Sequence, residues 1–154
     1  MDTAVFRGLL KEAYEYLWSL LEQSDDFNER VPETNRLRFL AEETGRIELK
    51  GDPSKPYVLL MPSGAILNYT LSNTHIELVL NVTVYCTITG KDVDKLLDLY
   101  EVILGAVDKW RVDQARPAFI QRIQGGKSDA QLNQKQIVGW SYVTNFEMRL
   151  VLTR

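Results

Sequence analysis

The sequence predicts an α+β fold of two layers, a mostly antiparallel sheet with two long strands and helices packed on one face. Three observations predict it. Residues 75–89, HIELVLNVTVYCTIT, place an apolar side chain at every even position from Ile76 to Ile88. Successive side chains of a strand point to opposite faces, so this strand has one core face and one mostly wet face. Residues 138–152 repeat the pattern, with Val138, Trp140, Tyr142, Phe146, Met148, Leu150 and Leu152 on one parity. Two other segments space their apolar residues by three and four, as amphipathic helices do. Helices gathered on one face of an antiparallel sheet give this architecture.

The first helix is carried by Phe6, Leu9, Leu10, Ala13, Leu17, Leu20 and Leu21, with Arg7, Lys11, Glu12, Glu15 and Glu22 between them. Thr3 is its expected cap, and Ser24-Asp25-Asp26 its expected end. Tyr14, Tyr16 and Trp18 widen the apolar girth beyond one stripe, which implies that a second face is also covered. In residues 25–56, Arg36 to Glu42 and Gly45 to Gly51 read either as the two arms of a hairpin or as an arm ordered by a partner.

After the turn cluster Asp52-Pro53-Ser54-Lys55-Pro56, Tyr57 to Pro62 is an apolar run of strand length, ended by Pro62-Ser63-Gly64. Ala65 to Leu71 is a further extended segment, and Ser72-Asn73 turns into the long strand. Asp92 is placed to cap the second helix, whose stripe is Val93, Leu96, Leu97, Tyr100, Ile103, Leu104, Val107 and Trp110. Phe119 to Gln124 is a short strand. Gly125 to Gln136 is polar, has neither period, and reads as a loop or tip. The chain closes on the second long strand.

The chain has 154 residues, the size of a single domain, with a possible arm or hairpin at 25–55. A net charge of −3 argues against a protein that grips nucleic acid by its phosphates. The charge is uneven: residues 1–31 hold seven acids and three bases, residues 111–136 five bases and two acids. Such polarity suits head-to-tail contact between copies. One cysteine excludes an internal disulfide and points to a reducing cytoplasm, and no apolar run reaches the ~20 residues that span a bilayer.

No chemistry stands out. His75, the one histidine, starts a strand on the polar parity with no Ser or Cys placed beside it. Cys86 sits on the apolar parity, where a thiol acts as a small hydrophobe. No second Cys or His builds a zinc site; Asp92, Asp94 and Asp98 read as a cap and the wet side of a helix. Glu42-Glu43 is an adjacent acid pair in a charged loop. Gly125-Gly126-Lys127-Ser128 resembles the end of a phosphate loop, but Gln121 stands where the first glycine belongs. No catalytic residue, metal or cofactor is expected.

The long strands point elsewhere. Fifteen residues in a strand span roughly 45–50 Å, more than the core of a small domain needs. Overhanging strands present unpaired backbone groups, which pairing or packing between copies would satisfy. A head-to-tail contact whose rotation closes gives a ring. The contact candidates are the charged residues of the arm, Arg36, Arg38, Glu42 and Glu43, and the later bases Arg116, Arg122, Lys127 and Lys135. Reversing Arg116, Arg122 and Lys127 is expected to weaken assembly and spare the fold.

In layout the chain resembles the tail-terminator (tail-completion) proteins of long-tailed bacteriophages. The resemblance rests on the opening helix LLKEAYEYLWSLLEQ, the Pro-Tyr lead into a strand in KPYVLLMP, and the alternating strand IELVLNVTVYCTITG. It continues through the helix KDVDKLLDLYEVILGAVDKW and the closing strand WSYVTNFEMRLVLTR. It covers most of residues 4–24 and 56–154, and it rests on patterns rather than signature residues. It implies a homo-oligomer, a hexameric ring, that caps the tail tube, ends its polymerisation and joins the tail to the neck or head-completion protein. DNA would pass through the hole unread, no membrane would be involved, and the protein would reside in the virion after assembly in the host cytoplasm. Residues 25–55 and the 125–136 tip are longer than the layout requires, so which surface meets tube or neck stays open. Other readings are another neck or tail-tube subunit, or, in a different class, a small α+β ligand-binding domain or enzyme.

Overall fold

The computed structural model describes residues 7–38, 51–52, 54–69, 75–87, 93–133 and 139–153. The helices are α1 (Leu9–Glu22), α2 (Asp25–Arg30) and α3 (Val93–Asp108). The strands are β1 (Arg36–Arg38), β2 (Tyr57–Tyr69), β3 (His75–Thr87), β4 (Ile120–Asn133) and β5 (Gly139–Thr153), with 3-10 turns at Glu33–Asn35 and Lys109–Arg111. They form one sheet in the order β1-β2-β3-β5-β4, antiparallel except between β1 and β2. The α+β class and the mostly antiparallel sheet are as the sequence predicts.

Helix α1 starts at Gly8, whose φ of 76° lies in the left-handed region that glycine adopts without strain. The expected cap Thr3 lies outside the described residues. Ser24 does not merely end α1. Its hydroxyl accepts from the Phe27 N–H at 3.3 Å and caps α2, a helix that the sequence reading missed. Asp25 and Asp26 then stand in the first turn, where the helix dipole favours acids.

Of the hairpin reading, only Arg36, Leu37, Arg38 and Gly51 are described, and the first three pair in parallel with Val58, Leu59 and Leu60. The remaining residues of that reading, 39–50, lie outside the described residues. The pairing is anchored just upstream, at Asn35, which is fully buried. Its amide nitrogen lies 2.9, 3.2 and 3.0 Å from the carbonyls of Asp52, Lys55 and Pro56. Its amide oxygen accepts from the Asp52 N–H at 2.8 Å. One side chain thus replaces the backbone partners that this turn lacks.

Two strands run further than their side chains suggest. Pro62 does not stop β2. The register slips between Pro62 and Gly64 and the strand continues to Tyr69. Proline is tolerated because it stands at this slip, a bulge where the ladder is already interrupted. Residues 125–133 are likewise not a loop but the second half of β4, paired with β5 up to Asn133. Register slips at Ile120/Arg122 and Gly125/Ser128 reset the parity each time, which hides the period-two signal.

The core lies between the helices and one sheet face. Leu78, Leu80, Val82, Val84 and Cys86 of β3 are buried there, with Phe146, Met148 and Leu150 of β5, while Ile76 is also buried but outside this cluster. Facing them are Leu9, Ala13, Leu17, Leu20 and Leu21 of α1 and Leu96, Leu99, Ile103, Ala106 and Val107 of α3. The expected α3 stripe is rotated: Leu99 and Ala106 are inside, while Leu97 and Leu104 are 42% and 37% exposed. Leucine occurs on more than one side of this helix, so its distribution did not single out the inward face. The cap position Asp92 lies outside the described residues.

Candidate assembly surface

The charged candidates do not share one surface. Arg36 and Arg38 point back over the helices. The Arg36 guanidinium stacks 5.3 Å from the Phe27 ring centroid, and its Nη2 donates to Asn28 Oδ1 and to the Val31 carbonyl, both at 2.9 Å. Arg38 stacks at 5.3 Å over Trp18, forms an ion pair with Glu15, and donates to Glu22 Oε1 at 2.8 Å. Stacking over aromatic faces adds to the ion pairs. Both arginines are thus spent within the chain, holding β1 against α1 and α2. They also supply the second cover that the aromatic girth of α1 implied.

Beneath Arg38, the Trp18 indole N–H donates to Tyr14 Oη at 3.0 Å, and the Tyr14 hydroxyl donates to the Leu60 carbonyl at 2.7 Å. Trp18 is fully buried, so this chain of bonds satisfies its one polar group and ties helix to sheet.

Arg116 belongs to a second internal cluster, in the turn after α3. Its guanidinium stacks 5.2 Å from the Trp110 centroid and donates to the Trp110 carbonyl at 3.4 Å. Nearby, the Tyr16 hydroxyl donates to Asp113 Oδ2 at 2.7 Å. Burial first, then this hydrogen bond to a carboxylate, pushes the Tyr16 phenol well above its ordinary range. The same bond, the Ala115 N–H and the Arg116 charge hold Asp113 below the usual carboxylate range. Reversing Arg116 would therefore injure the fold, which corrects the expectation that it lies outside the packed structure.

Arg122 is placed differently. It is exposed on β4 and opposite Arg149 of β5, on the sheet face that the described helices leave uncovered. Arg149 Nη2 donates to Glu77 Oε2 at 2.7 Å, and Thr83 Oγ1 donates to Asn145 Oδ1 at 2.7 Å on the same face. This face is thus a mixed, largely polar surface. Lys127 lies on β4 by its backbone, and Glu42, Glu43 and Lys135 lie outside the described residues.

Two grooves flank α3. One is apolar, lined by Leu104, Val107, Trp110, Ile123 and Phe146, with Asp108 its sole charged group among the described residues. Arg111 donates to Asp108 at 2.6 and 3.0 Å and holds its carboxyl below the usual range. The other contains Asp26, Asp98, Glu101 and Lys109, and Asp98 is engaged by Arg30 at 2.5 Å. In both grooves a neighbouring guanidinium holds a carboxylate. Among the described residues, no group of three His, Cys, Asp or Glu side chains is disposed to hold a metal. His75 begins β3, and Cys86 is buried in the core.

The sequence reading missed one surface altogether. Pro62 to Leu67, the outer half of β2, is exposed throughout, with Ile66 at 56% and Leu67 at 40%. A signal was present, since Gly64 to Tyr69 has neither charge nor proline, but a strand expected to end at Pro62 concealed it.

Fold and surface together define a two-layer α+β protein whose described helices pack on one face of a mostly antiparallel sheet. No protein-family model matches the chain, and no curated protein matches it.

Proposed function

We propose that this protein is a structural subunit of a bacteriophage tail, forming a ring that caps the tail tube, ends its polymerisation and joins it to the neck. The observation that carries the reading is the mismatch between layers. Strands β2 to β5 have 13, 13, 14 and 15 residues, and α1 and α3 have 14 and 16. At ~3.4 Å per strand residue and ~1.5 Å per helical residue, each of these strands is about twice as long as either helix. Strands of this length are suited to contact with neighbours and tube.

The layout of helix, long strand, helix and closing long strand supports the reading, as does the uneven charge. In the ring, the exposed Arg122 side of one copy meets the acidic α1–α2 side of the next, a heterologous contact that closes on itself. The subunit's role is mechanical, and DNA passes through without base contacts.

Electron microscopy of the purified protein, alone and with tail tubes, tests the proposal. Rings of uniform diameter, sitting at tube ends, are the expected result. A protein that stays monomeric and leaves tube ends bare overturns it.

A further inference from the structure

Arg122 of β4 and Arg149 of β5 are directly opposed on the sheet face that the described helices leave uncovered, and Val79 of β3 is next in the same row. Opposed Cα atoms of an antiparallel pair lie about 4.5–5.5 Å apart, and like charges set there destabilise the sheet. The strand residues around the pair, 75–83, 119–125 and 144–153, are all described. Arg122 is exposed and makes no hydrogen bond or ion pair among the described residues. Arg149 donates from Nη2 to Glu77 Oε2 at 2.7 Å, and its Nε is buried without a hydrogen-bond partner among the described residues. Buried donors in folded proteins are nearly always paired, so this one points to a missing acceptor. We propose that the Arg122–Arg149 pair binds a phosphate group, either free phosphate or that of a small phosphate monoester.

The number of oxygens selects the ligand. A carboxylate is filled by one guanidinium fork, whereas a phosphate has oxygens enough for two. Gln124, exposed on the same face two residues along β4, adds an amide donor beside Arg122. Two acids adjoin the pair. Glu77 is bound to Arg149 and positions its guanidinium. Glu147, exposed and opposite Gln124, sets at the rim a negative charge that opposes an anion. With two bases against two acids, the site selects by the placement of its donors more than by net charge. It belongs to the single subunit and needs no ring, so the two readings fail separately.

Titration of the isotope-labelled protein with inorganic phosphate and with phenyl phosphate, followed by nuclear magnetic resonance at constant ionic strength, tests the site. Saturable shifts centred on the amides of Arg122, Gln124 and Arg149 are expected, and the tighter of the two ligands tells free phosphate from an ester. Acetate should bind more weakly than either. Arg122→Gln should weaken phosphate binding about tenfold or more, the loss of a charged hydrogen bond, with an unchanged urea midpoint. Glu147→Gln should tighten it. Arg111→Gln, at an exposed arginine already paired with Asp108, should bind as the parent does. The proposal is overturned if neither phosphate gives a saturable shift, or if acetate binds as tightly. Parent-like binding by Arg122→Gln, or an equal loss in Arg111→Gln, also overturns it.

Discussion

Gly51 lies directly against the buried amide of Asn35: a Cβ at Gly51 would fall 1.8 Å from Asn35 Oδ1 and 2.9 Å from the Thr34 carbonyl. The close approach lets Asn35 reach the turn at Asp52–Pro56 and bind it from below. Gly51→Ala should therefore displace the amide and strand buried polar groups, at a cost of about 1–3 kcal/mol. Urea unfolding measures it. An unchanged midpoint would show that the amide is not a fixed part of the turn.

Tyr14→Phe removes the acceptor of the buried Trp18 N–H and the donor to the Leu60 carbonyl while keeping the ring. A buried indole N–H without its partner should cost about 1–3 kcal/mol. Tryptophan fluorescence combined with urea titration would register both the loss and the altered surroundings of Trp18.

Arg38→Ala should loosen β1 from α1. Both carboxylate partners are partly exposed, so the ion pairs themselves contribute about 0–1 kcal/mol and weaken in salt. Losing the guanidinium over Trp18 adds a contribution that salt does not remove. Comparing the Arg38→Ala deficit at low and high salt separates the two: part should vanish and part persist. Arg38→Lys should recover the salt-sensitive part only.

The Tyr16–Asp113 bond gives two pH windows of opposite sign. The Asp113 carboxyl is held low, so its contribution is present above the ordinary carboxylate value of ~3.9 and is lost as pH falls through its folded value. The Tyr16 phenol is held high, so the folded chain keeps the proton that the unfolded chain gives up near pH ~10, and stability falls as pH rises beyond that. Tyr16→Phe should be less stable than the parent at neutral pH and should show a shallower loss on the alkaline side. Parallel urea curves from neutral to alkaline pH check this, and identical alkaline slopes would refute it.

Arg122→Glu, at an exposed position on β4, should leave the unfolding midpoint within about 0.5 kcal/mol of the parent. On the ring reading it should reduce ring formation. Arg116→Glu should instead lower stability, since its guanidinium is packed on Trp110. Counting rings and measuring midpoints for the two variants separates an assembly defect from a folding defect.

Much of the fold was legible in the sequence for a definite reason. An uninterrupted alternation such as Ile76 to Cys86 has one solution, a strand with a buried face, and all six of those even positions are buried. The opening helix was legible for the same reason, with a period of 3.6. What escaped was every element whose signal is not side-chain periodicity. Strand β4 beyond Gly125 is held by backbone bonds to β5, which polar residues form as well as apolar ones, and its register slips erase the period. Helix α2 was hidden because Ser24-Asp25-Asp26 serves as both a breaker and a cap.

The sequence by itself determined the two-layer class, the inward parity of the long strands and the place of Cys86. Those follow from burying apolar area, which any compact form of this chain must do. Tertiary structure alone decided the fate of the charges and edges. It committed Arg36, Arg38 and Arg116 to aromatic rings distant from them in the chain or folded back beside them, left Arg122 outside, and bared Ile66 on β2. Such outcomes depend on which elements become neighbours, and pairing between distant segments is not written in local patterns.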